Sequence, residues 1–344
     1  MHENHKKGIS RLRRSVAAFL GALLLLGGSA MAAGTPGQGT VRMLVPVGHT
    51  VGIKLYARGV LVVGLPEGAT PARRCGLETG DVILQCCGTA VTSTEQFQLM
   101  LQSSGGGSIE LQIRRNSDCR TLSVTPEENE SGVYAIGAWI RDSMAGIGTI
   151  TYYDPENGTF GALGHGINDV DTAQLMPFSS GTILPSTVKT VKKGACGSAG
   201  QLKGDFELTA ELGTLYANTE CGIFGRTEAF SNLGEALPIA KNSDVHVGPA
   251  IIRCNVEGNC VRDYRVEITK LFRDSSDSRD LLLEVTDPEL LALTGGIVQG
   301  MSGSPIIQNG RIVGAVTHVL VNDPTRGYGI FIENMLEAAG GANG

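Results

Sequence analysis

Beyond the N-terminal segment, apolar residues come in short runs that glycine, proline or small polar residues soon end. Residues 41–45 form one such run, which Pro46 breaks, and residues 52–63 alternate before becoming wholly apolar at Gly59-Val60-Leu61-Val62-Val63. Ile109-Glu110-Leu111-Gln112-Ile113-Arg114 alternates with period two, the pattern of a half-buried strand. Residues 146–153, 160–163, 251–254 and 265–268 repeat strand-length segments between breaks, and Asn309-Gly310 between two apolar runs predicts a hairpin with a tight primed turn. One stretch reads otherwise: residues 93–102 place Phe97, Leu99, Met100 and Leu101 on an amphipathic helix capped by Ser93 or Thr94. The acidic run Glu127-Glu128-Asn129-Glu130-Ser131 predicts a linker. The pattern therefore predicts a mainly β chain, with one domain over residues 41–126 and a barrel or sandwich over residues 134–344.

Composition agrees with this reading. The 48 glycines among 344 residues are about twice ordinary usage, which suits a turn-rich β protein. The net charge of −6 is mild, and no basic stripe interleaved with aromatics follows the N-terminus, so nucleic acid is not an expected partner. The N-terminus itself changes the picture. Six basic residues (His2, Lys6, Lys7, Arg11, Arg13, Arg14) precede an apolar run over residues 16–26, and Ala30-Met31-Ala32 then offers a signal-peptidase site. Counted through Ala33, the run reaches about nineteen largely apolar residues, the length of a spanning helix. A cleaved signal peptide or a signal anchor over residues 1–33 predicts a chain exported across the cytoplasmic membrane, anchored in the second case.

Eight cysteines permit disulfides in an exported chain, but no Cys-x-x-Cys pair suggests zinc or redox chemistry. Cys254 and Cys260 flank a five-residue stretch and are the pair whose spacing suits a hairpin bridge; buried thiols acting as small hydrophobes are the alternative.

Residues 69–84, Ala-Thr-Pro-Ala-Arg-Arg-Cys-Gly-Leu-Glu-Thr-Gly-Asp-Val-Ile-Leu, followed by Gly88-Thr89-Ala90-Val91, resemble a PDZ domain of the kind attached to exported proteases. Such domains bind the end of a peptide, or an internal segment, on a strand edge, with backbone N–H groups of a preceding loop receiving the carboxylate. By position the resemblance implies that Val51, Gly52 and Ile53 form this loop.

The chemistry centres on Gly300-Met301-Ser302-Gly303-Ser304-Pro305. A serine hydroxyl needs a base to attack a carbonyl, and the oxyanion it creates needs backbone donors; the glycines permit a turn tight enough to gather the N–H groups of Gly300 and Ser302. Gly-x-Ser-Gly-x-Pro resembles the nucleophile motif of chymotrypsin-like serine peptidases. Of the histidines outside the N-terminal segment, His165 has the best setting for a base, at the end of an apolar run and between glycines; His318 and His246 are weaker alternatives. The acid that orients the base is open between two residues. Asp244 suits the usual order along the chain, whereas Asp287 lies fifteen residues before Ser302 and also reads as a helix N-cap ahead of Pro288.

Taken together, the PDZ-like segment, Gly164-His165-Gly166-Ile167, Thr286-Asp287-Pro288-Glu289-Leu290-Leu291 and Gly295-Gly296-Ile297-Val298-Gln299-Gly300-Met301-Ser302-Gly303-Ser304-Pro305 resemble the stage IV sporulation protein B family. The resemblance implies a PDZ domain followed by a chymotrypsin-like double β-barrel, with His165 as base, Ser302 as nucleophile, Asp287 as acid, and no metal or organic cofactor. It further implies a serine endopeptidase in the intermembrane space of the developing spore. Its substrates would be its own N-terminal region and a membrane-associated regulator of an intramembrane metalloprotease, whose release permits processing of a late sigma factor. Two rivals are a non-catalytic PDZ scaffold and a general quality-control protease.

Overall fold

The computed structural model describes residues 41–342 apart from residue 233 and residues 276–277. Residues 1–33, expected as a signal peptide or signal anchor, lie outside the described residues. The chain enters through β1 (Met43–Pro46) and a long strand, β2 (Thr50–Gly64). A short helix α1 (Pro71–Arg74) and strands β3 (Val82–Cys86) and β4 (Thr89–Ala90) come next. Helix α2 (Thr94–Ser103) then leads into the hairpin β5 (Ile109–Arg115) and β6 (Asp118–Val124). A small pair, β7 (Glu127–Glu128) and β8 (Tyr134–Ala135), precedes the second long strand, β9 (Trp139–Asp154).

Strands β10 (Thr159–Ala162), β11 (Phe178–Lys192), β12 (Gln201–Phe206), β13 (Gly213–Thr219), β14 (Gly222–Arg226) and β15 (Leu237–Pro238) follow. The last third comprises β16 (Gly248–Glu257), β17 (Cys260–Leu271) and β18 (Leu281–Val285), helix α3 (Pro288–Thr294), then β19 (Pro305–Gln308), β20 (Arg311–Val319), β21 (Arg326–Phe331) and helix α4 (Ile332–Gly341).

These strands close two barrels. In the first, β9, β10, β14, β13, β11 and β2 pair in turn and β2 returns to β9. In the second, the order is β16-β17-β18-β21-β20-β19. Closure leaves no free edge around each ring where neighbours overlap. The alternating residues of each strand send their apolar side chains inward: Val51, Ile53, Ile150, Phe160, Ile183 and Ile223 fill the first core, and Ile252, Ile268, Leu283, Ile306 and Val316 the second. Phe160, fully buried and edge-on to Phe230 at 6.4 Å, is a residue whose truncation to alanine would cost about 3–5 kcal/mol.

The PDZ sheet is an extension of the first barrel rather than a preceding bead. The second half of β2 pairs with β3, and β3 continues to β5 and β6. The first half of β2 is a barrel strand. The domain boundaries expected at residues 41–126 and 134–344 therefore shift: residues 42–57 belong to the barrel, and the PDZ fold is inserted between the two long strands. The acidic run expected as a linker makes the β7–β8 hairpin instead. The physical reason is that β2 runs unbroken from one sheet into the next, so no turn or linker in the chain marks the boundary. Register shifts between Tyr56 and Leu61 and between Val62 and Gly64, with Gly59 at φ +88°, mark the passage.

Local expectations hold elsewhere. Ser93 caps α2, its hydroxyl accepting from Gln96 N–H at 3.1 Å. Asn309 and Gly310, at φ +52° and +72°, turn the β19–β20 hairpin. The Cys254–Cys260 bridge is not formed: Cys254 is buried opposite Arg262, Cys260 is exposed opposite Glu257, and all eight cysteines are free thiols.

Candidate active site

The nucleophile loop is held from three sides. Helix α3 stops at Gly295, a left-handed residue with φ +73° whose N–H returns to Leu291 O, so the chain turns sharply back toward the barrels. Gln299 then exchanges bonds with the far side, its N–H donating to Gly200 O at 2.9 Å and its carbonyl accepting from Leu202 N–H at 2.8 Å. Thr149, buried on β9, donates its hydroxyl to Gly300 O at 2.7 Å and its N–H to Ser302 O at 3.0 Å. Gly303 donates to Val316 O at 2.7 Å, with φ +96° and so close to β9 that an added Cβ would lie 2.0 Å from Thr149 O. Only glycine fits there. Ser304, fully buried, turns its hydroxyl back onto Met301 O at 2.7 Å, a bracing role.

His165 follows β10 after two left-handed residues, Leu163 at φ +68° and Gly164 at φ +70°. Glycine neighbours admit close packing around the ring: an added Cβ at Gly164 would sit 2.9 Å from Thr317 Cγ2, and one at Gly166 would sit 2.7 Å from Thr219 O. The ring Nδ1 lies 2.8 Å from Gly166 O, and with Nδ1–H donating to that carbonyl, Nε2 carries the lone pair that a general base requires. Burial pushes the imidazole below its ordinary 6.5, while the Gly166 carbonyl works in the other direction.

His165, Gly300 and Ser302 line one cavity of about 490 Å³, whose remaining walls are mainly apolar, from Met144 and Ile147 on one side to Val298 and Val319 on the other. The N–H groups of Gly300 and Ser302 are bonded to none of the described residues, whereas Met301 N–H is spent on Val298 O at 3.1 Å. These are the two donors expected to receive an oxyanion. Ser302 Oγ itself donates to Thr317 O at 2.7 Å.

Two expected site assignments are not met. Asp287 does not line this cavity: it is the N-cap of α3, accepting from Glu289 N–H at 2.9 Å and Leu290 N–H at 3.3 Å, and from the Arg265 N–H and Nε at 3.3 and 3.4 Å. Burial tends to raise its pKa, but these donors together hold it below the usual carboxylate value. The N-cap alternative thus describes its place in the structure, and Gly166 O stands on His165 Nδ1 instead. Asp244 is equally remote from the cavity, in the 3₁₀ turn Asn242–Asp244 beside His246. The second correction concerns Val51, Gly52 and Ile53, expected as a peptide-binding loop. They are buried inside β2, with Gly148, Ile147 and Gly146 of β9 on one edge and Pro185, Leu184 and Ile183 of β11 on the other. A strand paired on both sides has no edge to offer a peptide.

His318, weighed only as a weaker base, is brought beside His165, with ring centroids 5.0 Å apart and planes at 37°. It lines the same cavity. Thr149 and Thr317 carry no sequence signal of chemistry, since they act through backbone and hydroxyl contacts made only on folding.

A cavity joining a serine on a glycine-bracketed loop, two spare N–H groups and a tautomerically fixed histidine, between two six-stranded barrels, defines a PDZ-bearing serine peptidase. Comparison with known proteins carries this further. The family model described as SpoIVB peptidase S55 matches residues 132–336, more than half of the chain, and a PDZ domain model matches residues 63–115. The chain belongs to the SpoIVB peptidase family.

Among curated proteins, one from Clostridium perfringens named for zinc metalloprotease activity is 38% identical over 68 residues, 20% of this chain and 20% of that protein. The chain thus spans about a fifth of that relative's length. Among solved structures, the PDZ domain of an SdrC-like protein from Listeria monocytogenes is 21% identical, covering 24% of this chain and 87% of that one at a TM-score of 0.22. The HtrA-type protease AlgW bound to a decapeptide is 12% identical over 59% of this chain and 53% of its own, at 0.35. The Rv3671c protease of M. tuberculosis in its active form is 14% identical over 58% and 73%, at 0.31.

Proposed function

We propose that the chain is an exported serine endopeptidase that cleaves its own N-terminal region and a membrane-associated regulator of an intramembrane metalloprotease, a signal for late sigma factor processing during sporulation. The observation that carries the chemistry is the convergence of His165, Ser302 and the N–H groups of Gly300 and Ser302 on one cavity. Ser302 Oγ leaves Thr317 O and attacks the scissile carbonyl while His165 Nε2 takes its proton. The carbonyl oxygen, now negative, receives the two N–H groups, and the proton on His165 passes to the leaving amine. Gly166 O fixes the tautomer through Nδ1–H throughout. Family membership and the basic, apolar N-terminus support the signalling role and export. The apolar walls of the cavity favour substrates with aliphatic side chains next to the cut.

The test is the N-terminal mass of purified full-length chain over time, wild type against Ser302→Ala, alone and mixed with the regulator of an intramembrane metalloprotease. Wild type should lose an N-terminal piece and cut the regulator, and Ser302→Ala should do neither. Identical N-termini together with an intact regulator would overturn the proposal.

A further inference from the structure

Two walls of the catalytic cavity come from distant parts of the first barrel: Met144 to Ile147 of β9, and Gly166 to Asn168 of the loop that follows His165. One side chain bridges the two segments. Arg141, three residues before Met144 on β9, donates one guanidinium nitrogen to Asp169 Oδ2 and the other to Asp171 Oδ2 at 2.8 Å. Asp169 is buried, and its second oxygen accepts from Asp171 N–H at 3.1 Å and from the Thr172 N–H and hydroxyl at 2.9 and 3.1 Å. Burial works against its charge, yet Thr172, Arg141 and Asp171 together hold it below the ordinary carboxylate value. The loop doubles back on itself: Asn168 bridges Leu175, Asp169 N–H donates to Gln174 O at 2.8 Å, and Ala173 turns the chain at φ +56°. Its returning arm reaches the base, since a Cβ added to Gly166 would collide with Leu175 Cδ1. Asn218 grips the stem of the loop, its side-chain oxygen accepting from Ile167 N–H at 2.9 Å, and Arg141 ties the part beyond Asn168 to β9.

We propose that Arg141 is a positioning residue for the base: by clamping Asp169 and Asp171 it holds the Gly166 carbonyl, and through that carbonyl the imidazole of His165, where Ser302 is activated. The proposal rests on the serine endopeptidase reading. Gly166 O is the acceptor of His165 Nδ1–H, so what fixes this loop also fixes the tautomer and the aim of the ring. The fork matters as well as the charge. Two carboxylates are met by separate nitrogens of one planar group, a geometry that a lysine ammonium, a point charge, does not reproduce. The two prongs are unequal, because Asp169 is enclosed while Asp171 is exposed and its pair is weakened by water.

The experiment measures the rate of fluorophosphonate labelling of Ser302 in the full chain between pH 5 and 8, beside the denaturation midpoint of each variant. The variants are Arg141→Gln, Arg141→Lys and Asp171→Asn, with Arg253→Gln as control, since Arg253 pairs with Asp263 and does not line the cavity. We expect Arg141→Gln to label at least about tenfold more slowly at pH 8, because a small misplacement of a catalytic group costs that much or more. Arg141→Lys should stay close to Arg141→Gln, and Asp171→Asn, which keeps the buried pair, should lose about two- to threefold. The acid limb should move up toward 6.5, because a loosened loop admits water to an imidazole that burial otherwise holds below that value. His318 of β20, Glu220 and Cys221 of the β13–β14 turn, Arg279 and Glu337 of α4 share a second cavity with His165, and all are unchanged in these variants. Arg253→Gln should match wild type in rate and limb. Lowered midpoints for the Arg141 variants with wild-type rates and limbs would make Arg141 merely structural and overturn the proposal, as would full rescue by lysine. Should Arg141→Gln not fold, a rate and limb of Asp171→Asn equal to wild type would overturn it. A wild-type chain that does not label at all would instead overturn the endopeptidase reading, and the proposal with it.

Discussion

The hydroxyl of Ser302 donates to the carbonyl of Thr317 at 2.7 Å, so the resting nucleophile is bonded to strand β20 while His165 Nδ1 is engaged with Gly166. Releasing one neutral hydrogen bond costs about 1 kcal/mol, roughly a fivefold effect on rate. The resting bond therefore stores the hydroxyl without locking it.

Thr149 is the residue that ties the nucleophile loop to the first barrel. Thr149→Val keeps its shape but leaves Gly300 O without its 2.7 Å donor in a buried place. The expected loss is about 1–3 kcal/mol of stability, read as a lowered chemical-denaturation midpoint, with slower fluorophosphonate labelling of Ser302. An unchanged midpoint and rate would show that the loop is held by its other contacts.

The pH dependence follows from His165. Its imidazole is pushed below 6.5 by burial, and only the neutral ring acts as base. The acid limb of kcat/KM should therefore fall below pH 6.5. Stability has the same direction: the unfolded ring takes up a proton more readily than the folded one, so stability is full above the unfolded value and declines as pH falls from about 6.5 through the folded pKa. Half-buried His49, also lowered by desolvation, adds to this decline. Denaturation midpoints and kcat/KM between pH 4.5 and 8 check both statements, and an acid limb above 6.5 would contradict burial as the dominant influence on His165.

Asp287 separates the N-cap role from a catalytic one. Asn caps helices as well as Asp, and Arg265 is exposed, so Asp287→Asn should change stability by less than about 1 kcal/mol and labelling by less than about threefold. Asp287→Ala, which loses the cap, should cost about 1–2 kcal/mol. A drop of several thousandfold for Asp287→Asn would mean that the carboxylate reaches His165 during turnover.

The long strands make the peptidase inseparable from what precedes it. A chain truncated to residues 134–344 lacks β1 and β2, and with β2 the closure of the first barrel and the buried Val51, Ile53 and Leu55. It should lack cooperative unfolding, as measured by circular dichroism during a denaturant titration, whereas residues 42–342 should unfold cooperatively.

Much of this was legible in the sequence where the signal was local. Ser93 before an amphipathic stretch, Asn309-Gly310 between two runs and Asp287-Pro288 ahead of Leu290 each set a cap or turn within a few residues. His165 and Ser302 were legible because glycine brackets have a local cause. Pairing between distant strands was not. Nothing in Val51-Gly52-Ile53 distinguishes a strand open on one edge from one enclosed by β9 and β11, because both alternate identically. The positions of Asp287 and His318 relative to His165 depend on how barrel two closes, and the register of β16 against β17 is what separates Cys254 from Cys260.

The most direct test of the account is fluorophosphonate labelling of the full-length chain, with the modified residue located by mass spectrometry, in wild type, Ser302→Ala and His165→Ala. The account predicts a single adduct on Ser302 in wild type, none in Ser302→Ala, and labelling slowed by at least about a thousandfold in His165→Ala. Undiminished labelling of Ser302→Ala, or equal rates with and without His165, would contradict it.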